Sequence, residues 1–393
     1  MSPRSPFPGA VTGAFPSEPR GARTRRPAPA GVALATVGVL LTAGCAQGGP
    51  GEDADAADLV GKPAGTVKKD ALDDVRMTFV SYGGGMQDGQ EGAFVKPFAK
   101  ESGADVLTDG PTDPAKIKAQ VTSRNVLWDV VDTTPWDAAA NCGTLYEKLD
   151  YKIINTSQLP DQTPESPCMV PSLIYGYGLY YNADKYGDNP PTSWADFFDT
   201  EKFPGKRAVD GRPTPTPGIF EVALLADGVG PSKLYPLDTK RALRKWDAVK
   251  SDLTYWKTGA QQTQIAQSGQ ADMMMAWSGR VYEANANGAN FRPVWNNSFT
   301  LYDVFAVPKG SKNTKAAMGL INYALGAQQQ TKQAEYTSYA PVNINSRPKL
   351  SPQAKKLDPV QEKVLNQSIT PDFAYWGKNR DKLSKAWTDW LNR

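Results

Sequence analysis

Residues Val75–Ser81 read VRMTFVS and run straight into Tyr82-Gly83-Gly84-Gly85. A short apolar, β-branched run bounded by glycines predicts a buried strand. Without Cβ atoms, the glycines let the chain turn tightly where the strand ends. A helical stretch around Gly89–Glu101 follows, then a short strand over Asp105–Thr108. A helix is expected over Asp113–Ser123, with Ile117 and Val121 one turn apart, then a strand over Val126–Val131. Pro135 opens a further helix after Thr134. Strand and helix alternate, which predicts an α/β unit with a largely parallel sheet and helices on its faces. The three glycines do not fit Gly-x-Gly-x-x-Gly, so they carry no dinucleotide fingerprint.

Two strands, Met169–Tyr175 and Gly178–Tyr181, lead out of this unit into a second α/β set. Helices are expected there over Trp194–Phe198, Gly218–Ala226, Asp238–Lys250 and Gln261–Ser268, and strands over Lys206–Val209, Asp272–Trp277 and Phe291–Trp295. Leu301–Val307 is a strand leading back, and the last ninety residues are mostly helical. The reading is therefore two lobes, each a mainly parallel sheet flanked by helices. Residues 72–178 plus 304–393 form lobe one and 179–303 lobe two, with the late helices on lobe one.

Toward the N-terminus, Arg20, Arg23, Arg25 and Arg26 precede an uncharged, mostly apolar run of 13 residues, Gly31–Ala43. That is short for a membrane span, which needs ~20 residues, and suits an export signal. It ends in Leu41-Thr42-Ala43-Gly44-Cys45, which resembles the lipobox of bacterial lipoproteins, with Thr42 where a Leu is usual. The resemblance implies lipidation at Cys45, a signal over 1–45 and attachment to the outer face of the cell membrane, or release into a periplasm. Arg25-Arg26 also fits the start of a twin-arginine signal, but Pro27 follows and the rest of that motif is missing. Residues 46–71, rich in Gly, Ala and Asp, read as a flexible tether.

Composition narrows the function. The chain has 393 residues, 44 Lys+Arg against 41 Asp+Glu, and no His. That removes Ser–His–Asp and Cys–His catalysis and Cys/His zinc sites; no metal site or cofactor is expected. Without the five arginines and Glu18 of residues 1–44, 39 basic and 40 acidic residues remain. A net charge of −1 gives no nucleic-acid footprint. Cys142 and Cys168 are an even pair in an exported chain and are expected to be bonded.

Several motifs, in order, resemble the extracellular solute-binding proteins of ABC importers, in the branch that binds polyamines (spermidine and putrescine). The most specific is Thr192–Arg207, TSWADFFDTEKFPGKR, similar to that family's "TSWADL" helix and following "GK/R" strand. Met275-Ala276-Trp277-Ser278-Gly279-Arg280, Tyr302-Asp303-Val304-Phe305-Ala306-Val307-Pro308 and Tyr339-Ala340-Pro341-Val342-Asn343 match further family turns, as does Ser81-Tyr82-Gly83-Gly84. The resemblance covers about 75–345. It implies a two-lobed periplasmic-binding-protein fold of type II, no enzymatic activity, and delivery of a small amine to ABC permease subunits by a monomer.

By the same resemblance, Tyr82 and Gly84, Thr133 and Trp136, Trp277, Tyr302 and Asp303, and Tyr339 face the ligand. Asp303 is the ammonium partner and Trp277 the cation–π face. One departure stands out. The loop Val209–Pro217 carries a single acid, Asp210, and adds Arg212. A long dication wants a carboxylate at each end, whereas Arg212 and Arg280 offer guanidinium forks for a carboxylate. The alternative ligand is thus an ω-amino acid or similar zwitterion such as γ-aminobutyrate. Whether Arg212, Glu221 and Arg280 face the cleft is open from sequence. Ferric-ion binding through Tyr180-Tyr181 and carboxylate-dependent enzymology are weaker alternatives.

Overall fold

A computed structural model describes residues 56–160 and 166–393; the expected signal and Cys45 lie outside them. The eight strands are β1 (Arg76–Val80), β2 (Asp105–Asp109), β3 (Val130–Thr133), β4 (Val170–Asn182), β5 (Arg207–Asp210), β6 (Leu253–Trp256), β7 (Met273–Trp277) and β8 (Phe291–Ala306). They form one sheet in the order β2-β1-β3-β8-β4-β7-β5-β6. Each flank is parallel, β2-β1-β3 on one side and β7-β5-β6 on the other. Between them run β4 and β8, antiparallel to each other from Val170 opposite Phe305 to Asn182 opposite Phe291. The pairs of short strands expected at 169–181 and 291–307 are thus two long ones, continuous across Gly176, Gly178 and Asn296–Asn297. β6 has no counterpart in the sequence reading.

Two aromatic cores hold the flanks. On the β1–β3 side, Phe79, Phe94 and Phe305 meet edge-on with centroids 5.6–6.2 Å apart, a geometry worth ~0.5–1.5 kcal/mol per pair beyond burial. On the β5–β7 side, Trp246 packs on Phe197 and Phe198. Cys142 and Cys168 are bonded, with Cα atoms 5.5 Å apart.

Two expectations need correction. The tether is shorter than 46–71, because Leu59 and Val67 are buried in the first core. The Gly65 N–H donates to the Asn322 carbonyl at 3.0 Å. A Cβ on Gly65 would stand 2.8 Å from the Gly326 Cα. A glycine-on-glycine contact flanked by isolated apolar residues leaves no periodic signal to read. The last helix, Phe373–Leu391, also does not sit wholly with lobe one. Its buried residues Trp376, Leu383, Trp387 and Trp390 make one stripe that packs into the second core, on Phe220 and Trp246. Only its first half reaches the other side, where Phe373 stacks on Trp136 and Arg380 pairs with Asp137.

Candidate functional site

The C-terminal ends of β1, β3, β5 and β7 converge, as ligand-facing strand ends do in open α/β sheets. From them come Tyr82, then Thr134 and Trp136, then Arg212 and Thr216, then Trp277 and Arg280. Tyr175 of β4, Asp303 of β8, Met86 and Tyr339 complete one cavity. It leaves about 20 Å³ for the centres of water-sized atoms. A single trapped water needs ~10–15 Å³ on that measure, so the cavity is narrow.

Arg212 is held on two sides. Its Nε and Nη2 donate to the two carboxylate oxygens of Asp210 at 2.9 and 2.6 Å, and Nη2 also donates to Thr216 Oγ1 at 2.5 Å. Its guanidinium lies 5.1 Å from the Trp277 ring centroid and 5.3 Å from that of Trp256. A bidentate carboxylate and two aromatic faces fix the planar group. Nη1 has no hydrogen-bond partner among the described residues.

Asp303 is the opposite case. It is only 6% exposed, yet its carboxylate accepts no hydrogen bond from any described residue. Burial, with the Asp132 charge behind it, pushes its carboxyl well above the usual range against the pull of Arg212 and Arg280. Asp132 is fully buried; Gln90 Nε2 donates to it at 2.5 Å and Ser172 Oγ at 3.2 Å. Burial also raises the phenols of Tyr82 and Tyr175, keeping these walls neutral.

Arg280 has a different task from the one expected. Its Nη2 donates to the Gly83 carbonyl at 2.8 Å and its Nη1 pairs with Glu283 at 3.2 Å. It therefore ties the helix Ser278–Ala286 to the loop after β1, with its Nε, packed against Gly259, left without a partner. The fit is close: a Cβ on Gly84, at φ +61°, would come 2.7 Å from Arg280 Nη1, and one on Gly259 2.4 Å from Nε. Likewise a Cβ on Gly279 would fall 2.2 Å from the Tyr339 ring.

The structure places Tyr82, Trp136, Trp277, Arg280, Asp303 and Tyr339 around one cavity. Trp277 differs in detail, because Arg212 already lies over its ring. Three expected residues do not line the cavity. Gly84 lines a second pocket that shares Tyr82 with the first. Thr133 is buried in β3 opposite Val304, one residue short of Thr134. Tyr302 packs edge-on against Phe373, since β8 alternation turns it away from the Asp303 face. Glu221 is also withdrawn. It accepts from Gly218 N, Tyr235 Oη and Trp376 Nε1 at 2.6–2.9 Å and anchors the last helix. Met86, Thr134, Tyr175, Thr216 and Asp132 were missed. None carried a clear signal in the sequence; Asp132, directly after Val130-Val131, reads equally well as a strand end.

Comparison with known proteins identifies the chain's relatives. A family profile described as bacterial extracellular solute-binding protein matches residues 93–359. The chain is 31% identical over 325 residues to the γ-aminobutyric acid-binding protein of Pseudomonas aeruginosa, covering 81% of this chain and 91% of that protein. It is 22% identical to the putrescine-binding periplasmic protein SpuD of the same species, over 75% and 87% of the two chains. Among solved structures, the Atu4243–GABA receptor is 40% identical and superposes with a TM-score of 0.71, covering 80% of this chain and 97% of that one.

Proposed function

The chain belongs to the bacterial extracellular solute-binding proteins of ABC transport, which are not enzymes, and from that premise we propose that it captures γ-aminobutyrate or a closely similar ω-amino acid. The ammonium end meets Asp303 and the carboxylate end meets Arg212. One observation supports this most: two groups of opposite charge line one cavity, and each has an unused hydrogen-bonding edge. A buried carboxylate without donors is costly, so a ligand ammonium that supplies them gains correspondingly. The polyamine ligand placed first from sequence gives way here. A second ammonium would face Arg212. The described γ-aminobutyric acid-binding relatives lend further support. The lobes would close over the ligand and present it to permease subunits, with the body held at the membrane through Cys45.

The test is a thermal-shift and calorimetry panel of γ-aminobutyrate, putrescine and spermidine. A ligand at 100 times its Kd adds ~2.7 kcal/mol of stability, so γ-aminobutyrate is expected to give the large shift. Arg212→Met should weaken γ-aminobutyrate by ~30-fold or more, as losing a buried charged partner costs at least ~2 kcal/mol. It should leave putrescine no worse. A large putrescine shift with none for γ-aminobutyrate would restore the polyamine reading.

A further inference from the structure

We propose that Asp132 and Asp303 act as one unit that keeps a single proton in the ligand-free site and surrenders it when an ammonium group enters, so that solute capture releases a proton. The ligand half of this proposal rests on the amine-receptor reading above; the pair itself does not.

The strand register places the two acids together. β3 and β8 are antiparallel with Asp132 opposite Phe305. Asp303 is two residues further along β8, hence on the same face and diagonal to Asp132, where the charge of Asp132 acts on it. Asp132 has only the neutral donors Gln90 and Ser172. Asp303, 94% withdrawn from solvent and facing the cavity, has no donor among the described residues.

The surrounding charges relieve the pair only in part. Arg212, from the loop after β5, is engaged by Asp210, and Arg280, from the helix after β7, by Glu283 and the Gly83 carbonyl. Tyr82, Tyr175 and Tyr339 are the other titratable groups around Asp303, and burial holds all three phenols neutral. Two carboxylates in one desolvated space, with both nearby cations already engaged, do not both stay ionised. Consistently, burial pushes the Asp132 carboxyl up to about 7 despite its hydrogen bonds, and Asp132 in turn raises Asp303.

The exchange balances. A protonated pair and a ligand –NH3+ become an ionised pair holding the –NH3+ plus one proton released to water. Asp132 thus sets the charge of the site without touching the ligand. Affinity should rise with pH across the range in which the pair gives up its proton, by up to tenfold per unit. In the ligand-free protein the sign reverses. A folded-state carboxyl raised above its unfolded value of ~3.9 binds a proton that the unfolded chain has lost. Its contribution to stability is therefore complete below about pH 4 and is lost as pH rises through about 7.

The experiment has two arms, each on the wild-type protein and Asp132→Asn. First, urea midpoints of the ligand-free protein between pH 5 and 8 should fall with pH in the wild type, and less steeply, by nearly one proton, in Asp132→Asn. Equal slopes would overturn the proposal. Second, the heat of γ-aminobutyrate binding at pH 6 is measured in phosphate, imidazole and Tris buffers. Wild type should release close to one proton per ligand and Asp132→Asn almost none. Tight binding with buffer-independent heat in the wild type would overturn the coupling. If γ-aminobutyrate fails to bind while the first arm holds, the ligand reading falls and the protonated pair stands.

Discussion

At the scale of single residues, the cavity keeps two strong groups undersatisfied, and their cost is measurable. Asp303→Asn removes a buried carboxyl that has no donor and that Asp132 repels when both are ionised. The ligand-free protein should gain ~1–3 kcal/mol at pH 8, where the wild-type pair has given up its proton, the penalty of an unmet buried group, seen as a higher denaturation midpoint. Ligand affinity should drop by ~30-fold or more in the same variant. A midpoint that falls instead would mean that Asp303 is held by the fold. Asp303 was legible in the sequence because its motif resembled a known one. Asp132 was not, since an acid within VVDT reads equally well as a strand end. Its meaning comes only from register with β8. Arg280 misled for a related reason. Sequence shows that a guanidinium is near the site, but not which carbonyl it has already engaged.

At the scale of elements, glycines set how closely helices approach the cavity. The helix Ser278–Ala286 carries Gly279 under the Tyr339 ring, where an added Cβ would sit 2.2 Å from ring carbon. Gly279→Ala should lower stability, since overpacking costs ~1–3 kcal/mol and outweighs the ~1 kcal/mol helix-propensity gain. It should weaken binding as well, because Tyr339 is a cavity wall. Gly377→Ala, in the last helix with nothing within 4 Å of the added carbon, is the matched control and should stabilise by up to ~1 kcal/mol. Parallel strands and their helices were mostly readable from periodicity. The long strands β4 and β8 were not, because glycine and asparagine in their middles read as breaks. They persist because they pair with each other along nearly their whole lengths, with a register shift where Trp295–Ser298 bulge.

At the scale of the whole molecule, the last helix joins what the sequence assigned to separate lobes. Its apolar stripe is sunk in the second core while Phe373 and Arg380 hold Trp136 and Asp137 on the first side. Trp387→Ala should cost ~3–5 kcal/mol, as for other fully buried tryptophans, read from urea unfolding. Binding by the molecules that remain folded should change far less, since Trp387 does not line the cavity. The sequence revealed this helix but not its partner. Amphipathicity shows which face is buried and not what it is buried against.

The same helix has an optical consequence. Trp387 and Trp390 are stacked at 4.8 Å with planes 18° apart, and Trp246 lies 6.0 and 6.4 Å from them. Indoles this close share their electronic transitions, so a split exciton band in circular dichroism should report whether the helix is docked. Trp136 and Trp277 line the cavity instead, and their emission should respond to solute. One sample thus carries two separable signals, absorption asymmetry for the integrity of the body and fluorescence for occupancy of the site.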